Sequence, residues 1–214
     1  KDGSPPVFCG GTGLYFKALT EGLSEIPTID PAIRKKYREL ALRAPDGLHG
    51  LLHDKDPESH GVLKPGDRHR IIRALEVADS TGRPIGWWQK HPSEPRIDTE
   101  SCLKILLLPE RQVLRKRIAK RFYKMVEGGG VSEVENFLKL GLDESLPAMR
   151  AIGVPQLASY LRGETSLDEA IEAAIIASRQ YAKRQSTWFR NQLGSDWQIF
   201  ENAESAVETV FTQR

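Results

Sequence analysis

Apolar positions recur at helical spacing along most of the 214 residues. Two runs carry clear start and stop signals. Pro65-Gly66-Asp67 opens a periodic run to Val77 that ends near Gly82 and Pro84. Ser166-Leu167-Asp168-Glu169 has capping-box spacing ahead of a run to about Arg190. Leu14 to Leu19 reads as a shorter helix. Three brief apolar runs read as buried strands: Val7-Phe8-Cys9, Lys104 to Leu108 stopped by Pro109, and Trp197-Gln198-Ile199-Phe200. They predict a thin three-stranded sheet. Gly128-Gly129-Gly130 predicts a loop before the next helix. Between the first and second strands, Asp30 to Asp98 is polar and helical in pattern, with breaks at Asp56-Pro57, Lys64-Pro65 and His91-Pro92. The expected organisation is therefore residues 1–29 as part of an α/β core and 30–98 as a helical insertion. Residues 99–214 then form the remainder of the core with a basic carboxy-terminal helix.

Composition narrows the class. With 39% hydrophobic and 28% charged residues the chain is ordinary globular material, long enough to bury roughly 70% of its unfolded surface. The net charge of +2 is too small to name a polyanionic partner, so any nucleic-acid site must come from local clustering. No apolar run approaches the roughly 20 residues of a membrane-spanning helix. Cys9 and Cys102 make neither a disulfide framework nor a four-ligand zinc set, which points to a reducing, cytoplasmic setting. Lys1-Asp2-Gly3-Ser4-Pro5-Pro6 has neither an initiator Met nor signal-peptide regions, and a strand follows almost at once. The expectation is that the domain starts before this chain does.

Five groupings are candidates for chemistry. Arg111, Arg115, Lys116, Arg117, Lys120, Arg121 and Lys124 lie without an acid on one predicted helix. At about 100° per residue Leu114, Ile118, Phe122 and Met125 form its apolar stripe, and Arg121 falls inside the stripe, about 20° from Leu114. Arg121 should therefore point inward, where a guanidinium needs a salt-bridge partner or a bound phosphate. Further on, Arg179, Lys183, Ser186 and Arg190 share a face about a quarter turn from Ile171, Ile175, Ala182 and Phe189. This is a basic edge beside Trp188 that suits a phosphate backbone or plain solvation. Arg70 and Arg73 are i,i+3 neighbours. His49 and His53 have the i,i+4 spacing of a helical metal pair, but a zinc site would need two further ligands, so no metal site is assigned and the five histidines read as ordinary polar side chains. Gly10-Gly11-Thr12-Gly13 between strand and helix could offer backbone N–H groups to an anion. It lacks the Lys-Ser/Thr ending of a P-loop.

Six stretches, in order, together resemble the tRNA dimethylallyltransferase family. They are Gly10-Gly11-Thr12-Gly13-Leu14-Tyr15; Asp67 with Arg70 and Arg73-Ala74-Leu75-Glu76; Arg117-Ile118 with Arg121 and Met125; Gly130 with Glu133-Val134; Ala151-Ile152-Gly153; and Arg179 to Gln185 with Thr187-Trp188. The resemblance implies an α/β, P-loop-NTPase-like core, incomplete in this chain, with a helical insertion that grips the tRNA anticodon stem-loop. It also implies transfer of a dimethylallyl group from dimethylallyl diphosphate to N6 of the adenosine 3′ of the anticodon, assisted by Mg2+. By position, Arg121 matches the arginine that contacts the diphosphate and Thr12 the threonine at the reacting adenine. These two are the catalytic candidates. Thr12, Arg34, His69, Arg70, Ile71, Ile72 and Arg73 match tRNA-contacting positions, as do Lys183, Arg184, Gln185, Ser186, Thr187, Trp188, Phe189 and Arg190. Arg150 and Arg179 join them as candidates. A cytoplasmic monomer without membrane association is expected.

The sequence departs from the family pattern at Val154-Pro155-Gln156, where an aromatic and then a basic residue are usual. It also lacks the family's amino-terminal portion with its phosphate loop and aspartate base, so this chain alone is expected to be inactive. Two other readings compete: an adenylate isopentenyltransferase acting on a free nucleotide, and a non-catalytic RNA-binding module. The long insertion and the basic carboxy-terminal helix argue against the first.

Overall fold

A computed structural model describes residues 6–144 and 146–212. These residues are mostly helical with one small parallel sheet, and they divide into two compact units: Leu14–Cys102, and Leu103 onward with the residues up to Gly13. The reading of Lys1 to Pro5 as a non-signal start lies outside the described residues.

The unit Leu14–Cys102 follows α1 (Gly13–Glu21) with α2 (Pro31–Arg43), α3 (Gly47–Lys55), α4 (Pro57–Val62), α5 (Arg68–Thr81) and α6 (Ile85–Gln89). The helix predicted after Asp67 is α5. The Asp67 carbonyl accepts from the Arg70 and Ile71 amides, and Gly82 closes the helix in the left-handed conformation. Its inward positions Ile71, Ala74 and Leu75 meet Tyr37 of α2 and Leu48 and Leu52 of α3 in a fully buried cluster. At the α3–α4 junction the buried carboxylate of Asp56 accepts from the Ser59 amide at 2.9 Å, the Ser59 hydroxyl at 2.7 Å and the Ile85 amide at 3.2 Å. One acid thereby caps α4 and fixes the start of α6.

A second acid ties three helices together. On α5, Asp79 accepts from the Tyr37 hydroxyl at 2.5 Å, from Lys36 Nζ at 3.0 Å, and from Lys55 Nζ. Burial opposes its charge, but the hydrogen bonds from Lys55, Tyr37 and Lys36 outweigh this and hold the carboxyl at about 2. Burial and the same carboxylate push the Tyr37 hydroxyl well above its ordinary value.

The other unit contains β1 (Ile105–Leu107), α7 (Arg111–Met125), α8 (Val131–Leu138), α9 (Val154–Leu161), α10 (Leu167–Gln192), β2 (Gln198–Phe200) and α11 (Ala203–Thr212). β1 and β2 pair in parallel, Leu106 opposite Ile199, and the Lys104–Asp196 ion pair closes one end. Between the strands, α7 to α10 build a core from Ile118, Phe122, Val134, Leu157, Ala158, Ala170, Ile171, Ala174 and Ile175. The capping box predicted at Ser166 is formed in full: Ser166 and Glu169 each accept from the other's amide.

Two expectations need correction. Val7-Phe8-Cys9 is not a strand, and the sheet among the described residues has two strands. A strand exists only where a neighbour takes its backbone hydrogen bonds. β1 and β2 take each other's, and Val7 and Phe8 stay 82% and 56% exposed. Gly128-Gly129-Gly130 is not an open loop but part of a wide π-helical turn, Val126–Gly130, that joins α7 to α8; Gly129 bends it at φ +100°. No helix among the described residues is long and apolar enough to cross a membrane.

The Asp79 network carries a pH prediction. A carboxyl held at about 2 against an unfolded value of 3.8 stabilises the fold above pH 4, and that contribution is lost as pH falls toward 2. Asp79→Asn should cost about 2 kcal/mol at pH 7, and the difference in Tm between parent and variant should shrink steadily in melts from pH 5 to pH 2.

Candidate functional site

The glycine turn and the carboxy-terminal half of α10 are built into one another. Gln185 donates from Nε2 to the Gly11 carbonyl at 2.8 Å. Gly13 lies against Trp188 and Phe189 so closely that a Cβ there would stand 2.0 Å from Trp188 Cζ3 and 2.9 Å from Phe189 Cε1. The two rings meet edge to face at 6.0 Å, forming a wall that only a hydrogen atom at position 13 can approach. Thr12, between the two anchored glycines, is exposed. Its hydroxyl is thus presented at a fixed place beside a basic helix.

Along that helix the sequence candidates take different parts. Lys183, Arg184, Thr187 and Arg190 are exposed. The Arg184 guanidinium lies 5.7 Å from the Tyr181 ring centre. Gln185, Trp188 and Phe189 are occupied in holding the glycine turn, and Ser186 donates to the Ala182 carbonyl at 2.9 Å. Arg179 is half-buried, its Nη1 3.8 Å from Glu172 while its buried Nε lacks a hydrogen-bond partner. Arg150 is exposed at the end of a 3-10 turn, Pro147–Arg150. In the departure after Gly153, Gln156 accepts from the Gly153 amide at 2.9 Å, and Pro155 sits in the first turn of α9. These residues start the helix.

Arg121 does not point inward. It is exposed, because the face of α7 that packs into the core is centred on Ile118 and Phe122, with Leu114 and Ala119 at its margins. Met125, counted into the stripe from sequence, is 48% exposed, so the buried arc is turned toward Ala119 and leaves Arg121 on its flank. The salt-bridge alternative falls with it: among the described residues Arg121 has no ion pair.

In the other unit, Arg34 is exposed and lines a shallow hollow on α2 with Arg38 and Leu42. His69 and Arg70 are exposed, and Arg73 lies 3.8 Å from the buried Glu76. Ile71 is fully buried, so it offers no side-chain surface to a partner; helical periodicity puts it on the inward face with Ala74 and Leu75. Ile72 is half-buried.

Sequence reading missed three groupings. Asp79 was one of many acids, and only folding brings Lys36, Tyr37 and Lys55 to it. His60 joins the spaced pair, its ring centre 4.2 Å from that of His49 and 5.1 Å from that of His53. Burial and these neighbours lower its pKa. Among the described residues no group of three or more His, Cys, Asp or Glu has the geometry to hold a metal ion. Trp87 stacks on His91 and lies beneath the Arg83 guanidinium at 4.0 Å. The spacing of four residues from Arg83 to Trp87 and from Trp87 to His91 was the local signal.

Comparison with known proteins bears on what this arrangement serves. A family model described as IPP transferase matches residues 1–192. The chain belongs to this family. A tRNA dimethylallyltransferase of Chelativorans sp. is 53% identical over 193 residues, covering 90% of this chain and 66% of the relative. One of Rhizobium meliloti is 50% identical over 206 residues, covering 96% and 68%. The chain therefore spans about two thirds of the length of the curated relatives it matches. Among solved structures, a full-length tRNA isopentenylpyrophosphate transferase of Bacillus halodurans aligns with a TM-score of 0.54 at 29% identity, over 94% of this chain and 63% of that one. A eukaryotic dimethylallyltransferase described as acting on tRNA aligns with a TM-score of 0.70 at 22% identity, over 96% and 53%. This second likeness is one of fold.

The docked turn can be tested in the IPP transferase chain directly. Gly13→Ala should destabilise by about 1–3 kcal/mol through overpacking against Trp188. Gln185→Ala should cost about 1 kcal/mol by removing the bond to Gly11. Tryptophan fluorescence during urea unfolding reads both. A Gly13→Ala protein as stable as its parent would mean that Trp188 is free to move off the turn.

Proposed function

We propose that the protein bearing this chain transfers a dimethylallyl group from dimethylallyl diphosphate to N6 of the adenosine 3′ of the anticodon in tRNA. The observation that carries this reading is the glycine turn docked on the basic carboxy-terminal half of α10, with Thr12 exposed between its anchors. The named activities of the curated relatives support it.

The chemistry sets requirements, some of which these residues would answer. An adenine amine is a weak nucleophile, and the allylic carbon becomes reactive as its bond to the diphosphate oxygen breaks. A carbon–nitrogen bond forms, diphosphate leaves with the bonding pair, and N6 gives up a proton to a carboxylate base of the kind the resemblance implies. The exposed guanidinium of Arg121 is available to the leaving diphosphate, through a planar fork of donors that suits phosphate oxygens. The exposed Thr12 hydroxyl would meet the target base. The target adenine must leave its stack, and Lys183, Arg184, Thr187 and Arg190 would hold the adjoining backbone. In this reading Arg34, His69, Arg70, Arg73, Arg150 and Arg179 meet other parts of the anticodon stem-loop. The surrounding core is P-loop-NTPase-like, residues 30–98 form the insertion, and the protein works as a cytoplasmic monomer. Mg2+ would neutralise diphosphate charge. Among the described residues no group of three or more His, Cys, Asp or Glu is gathered to hold it, and no step here is routed through it.

Supplying Mg2+, dimethylallyl diphosphate and unmodified tRNA to the full-length gene product, then digesting the tRNA and weighing its nucleosides, should reveal dimethylallyl-adenosine. Bound tRNA without product would favour the RNA-binding module, and modification of free AMP instead would favour the nucleotide-prenylating alternative. In the active protein, Arg121→Lys should lower turnover by about tenfold or more while tRNA affinity changes little, because a lysine keeps the charge but not the fork.

The basic edge of α10 makes a separate prediction. Lys183→Ala and Arg190→Ala should each weaken tRNA binding and flatten the plot of log affinity against log salt by about one unit. Unchanged slopes would make that edge a solvated face.

A further inference from the structure

Helix α7 holds seven basic residues and no acid, which leaves 24 basic against 29 acidic residues in the rest of the chain. The net charge of +2 thus conceals a strongly positive helix set in an acidic remainder. Acids are in surplus, and bases elsewhere take them: Lys17, Lys36, Lys90, Lys104 and Arg162 all form ion pairs. The seven on α7 form none among the described residues, and all seven are exposed.

Three of them make a row. Lys116, Lys120 and Lys124 recur every four residues, each step rising about 6 Å along the helix. The buried face of α7 packs through Ile118 and Phe122 into the core shared with α10. The lysine row falls on the far side, within about 60° of the opposite direction, with Arg117 beside it. Like charges four apart repel on a helix surface, so the row works against the helix that bears it. An external anion with many charges at a regular repeat relieves that repulsion. A single diphosphate meets only one step of a row about 12 Å long. Nothing in the row reads bases; compact ammonium charges suit a phosphate backbone of any sequence.

We propose that Lys116, Lys120 and Lys124 form a second backbone track for tRNA. It engages a stretch of phosphates other than the one held along α10, from which the row is turned away. This rests on the tRNA reading above.

The test is the salt dependence of tRNA binding by the full-length protein carrying Lys116→Gln, Lys120→Gln and Lys124→Gln together. Glutamine matches lysine in helix propensity, so the circular dichroism spectrum should not change. The slope of log affinity against log salt should become shallower by about 2, at about 0.7–0.9 for each phosphate that is no longer neutralised. Turnover at saturating tRNA should stay at the parent level. An unchanged slope overturns the proposal. So does an unchanged slope in a variant that no longer binds phosphatidylserine vesicles, which would assign the row to a membrane surface. A parent protein that binds no tRNA defeats the tRNA reading and this proposal together. A parent that binds, with a variant of equal slope, defeats the row alone.

Discussion

The contact between Gly13 and the Trp188–Phe189 pair is the constraint on which the site depends. It forbids any side chain at position 13 and places the turn against α10 with no room for adjustment. The Gln185 amide then fixes the other end through the Gly11 carbonyl. A short glycine-rich segment would otherwise be among the most mobile parts of a chain. Held at both ends, it presents Thr12 in one place.

Helix α10 supplies this because its two halves do different work. Ala170, Ile171, Ala174 and Ile175 bury its first half in the core beside Ile118 and Phe122 of α7. From Arg179 onward the buried aliphatic positions give way to a basic edge and to the groups that grip the turn. Core packing at one end therefore aims polar groups at the other, and a rigid helix transmits the placement without a hinge. α7 obeys the same rule: its inward face is spent on packing, and every base it bears is left outside.

The unit Leu14–Cys102 solves a different problem. Its helices are short, and two acids replace the cross-links that a larger core would supply. Asp56 fixes the junction of α3, α4 and α6, while Asp79 gathers Tyr37, Lys36 and Lys55 from α2 and α3. Asp56 is fully buried and Asp79 partly so, and each accepts three hydrogen bonds, the condition under which a carboxylate out of water stabilises rather than costs. The candidates Arg34, His69 and Arg70 are carried on the outer surfaces of helices fixed in this way.

The sequence by itself determined what is local. Helices α5 and α10 start and stop where proline, aspartate, serine and glycine dictate, since caps and periodicity act within a few residues. The family was legible from six ordered motifs because they record chemistry as residue type and spacing. Tertiary structure decided whatever depends on a neighbour distant in the chain. Val7-Phe8-Cys9 has strand-like residues but no edge among the described residues pairs with it. Arg121 faces out because packing turned the buried arc of α7 toward Ala119, a rotation that a stripe ending in Met125 could not show. Gln185 and Trp188 were legible as motif residues, but not as the holders of a glycine turn 174 residues away along the chain, because that contact exists only once the backbone has brought the two together.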